Sequence, residues 1–296
     1  MRRRTPIVVT AALSAVVLAA CAPANNSASS STSASASESA SASATAACSK
    51  DTLKTLAAGK LTIGTDKPAY PPYFVDDKPE NGQGFESAVA YAVASKLGYQ
   101  PTDVTWTVVP FDKAFAPGTK NFDFDINQVS ITDERKKAVD FSDGYYTVNQ
   151  AVVALKGTKA AEAKTTADLQ SLKLGAQVGT TSLDYITNVV KPTTAPSVFS
   201  STADPTAALK NKQIDALVVD LPTAYYITGA QLENSVIVGQ FKADKNSGDN
   251  FGLVLGKGSP LTECVNQAIG QLSTSGELQQ IQDKWLSQVT NAPYFS

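Results

Sequence analysis

Five apolar runs in this chain end in the same way. KLTIGT (60–65), VTWTVV (104–109), FDFDI (122–126), LGAQV (174–178) and IDALVV (214–219) each stop at a polar or proline-bearing turn. Their length and their Val, Ile, Thr and aromatic content are those of strands. Between them lie helical periods. Val89, Val93 and Leu97 recur at i, i+4 and i+8 behind GQGFES (82–87), and Gly98 ends that pattern. Leu261, Val265, Ala268 and Leu272 form a further helical face, and Leu278, Ile281 and Trp285 another. Strands alternating with helices commit the chain to α/β layers. Open α/β sheets bind ligands beyond the carboxyl ends of their strands, which fall here near 66, 127, 178 and 220.

The first 47 residues do not share this pattern. Arg2, Arg3 and Arg4 precede an apolar run at 7–20 that is too short to span a membrane and suits a signal peptide, residues 1–20. It closes in LAAC (18–21), a lipobox that would place a lipid on Cys21. Residues 24–47 are almost all Ser, Ala, Thr and Asn, a composition that cannot bury a core. With Cys21 lipidated, 21–47 becomes a disordered tether. Its reach as a flexible coil is about 28 Å.

The remainder carries ample apolar residues for one large domain or two lobes. Net charge is −2, with basic residues dispersed, so nucleic acid is not an expected partner. The chain has no histidine, which removes the commonest general base and metal ligand. No metal or cofactor is expected, and no catalytic residue. Cys48 and Cys264 are an even pair in an exported chain, which points to a disulfide, with two buried thiols as the alternative.

Residues 127–146, NQVSITDERKKAVDFSDGYY, concentrate the polar chemistry. Asn127, Gln128, Ser130 and Thr132 follow a strand. Asp133 and Glu134 then mark a helix start, whose free N–H groups suit a carboxylate. Arg135 adds a fork that can hold a carboxylate bidentately, although an arginine in a DERKK run also reads as a solvated face. The segment resembles the signature of bacterial solute-binding proteins that serve polar amino-acid ABC importers, the family 3 type. GTDKPAYPPY (64–73) is similar to that family's opening motif, and GELQQIQDKW (276–285) to its closing one.

The resemblance covers about 55–290 and implies a two-lobed periplasmic-binding-protein-like fold (type II) with two hinge strands and a ligand cleft. The first lobe would comprise 48–146 and 242–296, the second 147–241. It implies that Arg135 clamps the ligand α-carboxylate with help from Ser130, Thr180 and Thr181, and that Asp220 holds the α-ammonium group. By its own spacing Asp220 reads as a helix N-cap before Leu221 and Pro222. Asp66, Tyr70, Phe111, Asn127, Gln128 and Gln177 would line the side-chain pocket, Phe111 being as readily a core residue. Glu86 reads as structural. Gln128 and Gln177 both donate and accept, which suits glutamine or asparagine, while Asp66 leaves a basic amino acid open. The implied partners are a free amino acid, the permease subunits of an ABC importer, and the outer face of the cytoplasmic membrane through lipidated Cys21. The protein would act as a monomer. The rival readings are a dehydratase of this fold, with Asp66 or Glu86 as proton donor, and a sensor lipoprotein without transport.

Overall fold

The computed structural model describes residues 48–242, 249–287, 289 and 292–296. The expected signal peptide (1–20), lipidated Cys21 and tether (21–47) lie outside the described residues. The strands are β1 (Leu61–Thr65), β2 (Val104–Val108), β3 (Phe124–Asp125), β4 (Val139–Val148), β5 (Gln150–Leu155), β6 (Leu174–Gln177), β7 (Ser197–Phe199), β8 (Ala216–Asp220), β9 (Ser235–Gln240) and β10 (Asp249–Gly256). They form two mixed five-stranded sheets, ordered β2-β1-β3-β10-β4 and β7-β6-β8-β5-β9.

The two sheets follow one plan. In each, three parallel strands meet an antiparallel fourth that arrives from the other sheet, and a fifth that leaves for it. β4 runs through Asn149 directly into β5, and β9 leads toward β10. The crossings lie side by side: Asn149 Nδ2 donates to Gln240 Oε1 (2.7 Å), and Phe241 N to the Gln150 carbonyl (2.9 Å).

Each sheet buries both faces. On the first, Leu61, Ile63, Phe124, Ile126, Phe251, Leu253 and Leu255 pack under helix Phe85–Lys96 and the C-terminal helices Thr262–Thr274 and Glu277–Leu286. Val109, Val129, Phe141 and Val254 fill the other face. On the second, Val152, Ala154, Ala176 and Val218 face one core, and Ala151, Val153, Leu217 and Val219 the other. The alternation along β5 is the period-2 consequence of a strand covered on both sides. Burying each large aliphatic or aromatic side chain contributes about 1.5–3 kcal/mol.

Cys48 and Cys264 form a disulfide that ties the start of the described chain to helix Thr262–Thr274. Gly84, the residue before helix Phe85–Lys96, has φ 101°, and a Cβ there would lie 2.3 Å from the Tyr73 carbonyl oxygen. Glycine therefore lets the proline loop seat on the helix start.

The end of the chain departs from the expected 242–296 segment of the first lobe. Gln240 N donates to the Pro293 carbonyl (2.8 Å), Phe295 N to the Gln240 carbonyl (3.0 Å), and Ser296 N to the Lys164 carbonyl (3.3 Å). The Phe295 ring packs 5.0 Å from Phe241, against the Cα of Gly239. The tail pairs with the open edge of β9, where unpaired backbone groups recruit another segment.

Candidate functional site

The carboxyl ends of β1, β3, β6 and β8 converge between the two sheets. They enclose a cavity of about 110 Å³, lined from the first sheet's side by Asp66, Tyr70, Phe111, Asn127 and Gln128, and from the second's by Gln177, Thr202, Thr223, Tyr226 and Gln231. A smaller recess adjoins it, bordered by Tyr70, Gln177, Thr180, Ser182, Thr202, Asp220 and Thr223.

Buried acids shape the first side. Gln128 has φ 50°, a conformation disfavoured for a residue with a Cβ. Glu86 holds it there: it accepts from Gln128 N (2.8 Å), from Gln128 Nε2 and from the Tyr145 hydroxyl. Burial pushes the Glu86 carboxyl up to about 7, with those bonds pulling the other way. Asp66 accepts from Lys67 N (2.7 Å) and Phe111 N (3.3 Å), and burial raises it above the usual carboxylate range. Asn127 is 5% exposed and its Nδ2 has no protein partner.

Arg135 sits in a one-turn helix, Asp133–Lys136, whose N-cap is the Thr132 hydroxyl as the sequence anticipates. Its guanidinium stacks on the Phe115 ring (4.3 Å) and lies 5.6 Å from that of Phe111. It donates to the Ser130 carbonyl (2.6 Å) and to the Gly179 carbonyl (2.8 Å) of the opposite side. Burial lowers it to about 10, and Asp184, Asp220 and Asp249 counter that shift. Arg135 is 8% exposed, so the solvated-face alternative fails.

Neutral groups shape the second side. Thr180 caps helix Thr181–Tyr185, accepting from Leu183 N (3.2 Å) and donating to the Gln177 carbonyl (2.7 Å). Gln150, fully buried at the first crossing, accepts from Ser182 Oγ (2.6 Å). Its Nε2 donates to Asp220 Oδ1 (2.6 Å), Thr181 Oγ1 (3.2 Å) and Asp249 Oδ2 (3.2 Å). Asp220 occupies the N-cap position of helix Leu221–Tyr226, but its side chain makes no capping bond. Burial first and Asp249 second raise its carboxyl to about 7, and Asp249 itself reaches about 6.

The two sides touch. Beside the Arg135–Gly179 bond, Ser130 Oγ lies 3.3 Å from Thr181 Oγ1 and Tyr73 Oη 3.2 Å from Thr223 Oγ1. Tyr70 stacks on Tyr226 with centroids 6.0 Å apart.

Residues 61–288 match the bacterial extracellular solute-binding proteins, family 3. This chain belongs to that family. It is 31% identical over 250 residues to the L-arginine-binding protein of Pseudomonas aeruginosa, covering 81% of this chain and 93% of the relative. It is 30% identical over 239 residues to the L-cystine-binding protein TcyJ of Escherichia coli, covering 78% and 84%. Among solved structures it is similar to an ancestral arginine-binding protein bound to glutamine, with TM-score 0.64, 33% identity, and coverage of 76% of this chain and 97% of that one. The fold is the expected α/β architecture, and its structural neighbours are two-lobed amino-acid-binding periplasmic proteins. Among the described residues of this solute-binding protein, no acid, cysteine or histidine cluster could hold a metal, and no helix is long and apolar enough to cross a membrane.

The eleven residues singled out from sequence fall in three places in this solute-binding protein. Asp66, Tyr70, Phe111, Asn127, Gln128 and Gln177 line the main cavity. Thr180 and Asp220 border the recess. Ser130, Arg135 and Thr181 meet along the contact between the sides and border neither. Residues not anticipated are Gln150, Thr202, Thr223, Tyr226 and Phe115. A lone Gln in the apolar run QAVVAL was a readable signal for Gln150. Thr223 and Tyr226 sit three and six residues after Asp220, on turns of the helix it begins.

Proposed function

We propose that this protein captures one free polar amino acid between its two lobes and delivers it to the permease of an ABC importer. The lobes would comprise 48–146 with the segment after 242, and 147–241, the tail excepted. The observation that carries the reading is a buried guanidinium on one lobe, Arg135, which reaches the Gly179 carbonyl of the other, together with a half-buried carboxyl on that other lobe, Asp220. An amino acid is a zwitterion, and only lobe closure lets both ends be held at once. Each such charge-assisted contact contributes about 1.5–3 kcal/mol. The Ser130 and Thr181 hydroxyls and the helix start at Thr180 add donors for the carboxylate. Glutamine or asparagine fits the amide-lined pocket, and Asp66 adds an acceptor that a basic side chain could also use. Lipidated Cys21 would hold the protein at the outer face of the membrane, the tether leaving it free to turn as a monomer.

The dehydratase reading has less support. Glu86 is fully buried and its oxygens are engaged by Gln128 and Tyr145. Asp66 accepts two main-chain N–H groups. The test is a thermal-shift screen of the protein, unfolded and refolded to strip carried ligand, against all amino acids. A ligand at a hundred times its dissociation constant should stabilise by about 2.7 kcal/mol. A flat screen, with turnover of prephenate or arogenate, would overturn the proposal.

A further inference from the structure

Two glutamines line the same cavity from opposite sides, Gln128 from the first lobe and Gln177 from the second. Each has one end of its amide already committed. Gln128 Nε2 donates to Glu86, whose other oxygen accepts the Gln128 main-chain N–H at 2.8 Å. That carboxylate grips one residue by its backbone and its side chain together, so the amide cannot turn over without breaking the pair. Gln128 therefore offers its Oε1, an acceptor, to the cavity. Gln177 is set the other way. Its Oε1 accepts from the Thr202 hydroxyl at 2.6 Å, leaving its Nε2, a donor.

Asn127 and Asp66 also line this cavity, along with Lys67, Thr223, Tyr226 and Gln231. Asn127 Nδ2 is a buried donor without a protein partner. Asp66 is a carboxylate, an acceptor only when ionised. The cavity thus presents acceptors on Gln128 and Asp66 and donors on Gln177 and Asn127.

On the reading that the cleft takes a free amino acid, we infer that the pocket selects a primary carboxamide side chain. The ligand NH2 would donate to Gln128 Oε1 and Asp66, and its carbonyl would accept from Gln177 Nε2 and Asn127 Nδ2. Glu86 and Thr202 are the positioning residues that fix this polarity. A guanidinium or ammonium has donors only and would leave Gln177 and Asn127 unanswered. A carboxylate has acceptors only and would meet Gln128 Oε1 and Asp66. A site built to hydrogen-bond one pattern rejects a near-isostere strongly, because its own buried polar groups are left unpaired.

The experiment is calorimetric titration of the intact, ligand-stripped protein with glutamine, asparagine, glutamate, arginine and lysine. The carboxamides should bind about 100-fold tighter than the other three. Arginine, lysine or glutamate binding as tightly as the carboxamides would overturn this inference and leave the amino-acid reading standing. Binding of none of the five overturns this inference, and a flat thermal-shift screen against all amino acids overturns the amino-acid reading with it. Gln177→Glu replaces the donor with an acceptor, so the glutamine-to-arginine affinity ratio should fall by about 100-fold. Thr202→Val frees the Gln177 amide to turn its Oε1 to the cavity, and the glutamine-to-arginine ratio should fall about tenfold. Ratios are the readout because a general loss of packing weakens all ligands alike through their shared α-groups. An unchanged ratio in Gln177→Glu overturns the polarity assignment, and one in Thr202→Val overturns the positioning role.

Discussion

The two lobes build their halves of the site with different chemistry. The first uses acids to grip main-chain N–H groups: Glu86 on Gln128, and Asp66 on Lys67 and Phe111. The second uses neutral relays: Thr180, Ser182, Thr202 and Gln150. A charged acceptor makes stronger bonds and leaves a larger penalty when removed. A hydroxyl can exchange donor for acceptor at little cost. The first half is therefore a rigid mould, and the second can adjust as the lobes move against each other. Their closures differ too. The first lobe carries the Cys48–Cys264 disulfide, while the second's edge is covered by the tail through hydrogen bonds and the Phe295 ring.

This contrast can be broken by experiment. The largest effect is expected for Arg135→Ala, which should weaken amino-acid binding by about 100-fold or more, from two charge-assisted bonds at about 1.5–3 kcal/mol each. The fold should persist, which circular dichroism would check. Asp220→Asn should lose less, because Gln150 still has a side chain to engage. Near-normal affinity in the arginine variant would remove the clamp from the site.

Next comes Glu86→Ala, which strands the Gln128 N–H and the Tyr145 hydroxyl and should destabilise by about 3 kcal/mol in urea unfolding. Ser182→Ala in the second lobe should lose only about 1 kcal/mol. Equal losses would end the distinction between mould and relay. Cys48→Ser should remove about 2 kcal/mol or more, lowering Tm by several degrees without altering ligand affinity. A change in affinity would couple the disulfide to the cleft.

The smallest effect concerns pH. Asp220 and Glu86 are raised to about 7 and Asp249 to about 6, whereas in the unfolded chain all three ionise near ordinary carboxylate values. Between about pH 4 and 7 the unfolded state holds fewer protons, so stability of the free protein should fall as pH rises through that window. A ligand ammonium beside Asp220 favours its charged form, so binding releases a proton and affinity should rise between pH 5.5 and 8, by about 30-fold at most. Arg135, lowered only to about 10, stays charged throughout, and Asp184, raised by burial, lies on the same side. Titrations in two buffers of different ionisation enthalpy would detect the proton. A pH-independent affinity would mean that Asp220 does not hold the ammonium.

Much of the architecture could be read before any coordinates. The periods at Val89, Val93 and Leu97, the helix start after Thr132 and the polar strand ends near 66, 127 and 178 depend on neighbours within a few residues, and the strand expected to end at 178 ends at Gln177. Asp220 was ambiguous for the same reason. Its position before Leu221-Pro222 is that of a cap, yet its carboxylate turns to Gln150, seventy residues away in sequence.

Sequence by itself determined the α/β alternation, the segments that reach the cleft and the family, because these rest on short-range periodicity and local motifs. Tertiary structure alone decided which atoms those segments present. It gave Gln128 its acceptor and Gln177 its donor through partners 42 and 25 residues distant. It set Arg135 on Phe115 and against the Gly179 carbonyl, and it returned the tail at 292–296 to the second sheet. The physical reason is range. A helix or strand is fixed by neighbours in the chain, whereas an amide's direction is fixed by whichever distant group reaches it first within 3 Å, and no spacing in the chain encodes that choice.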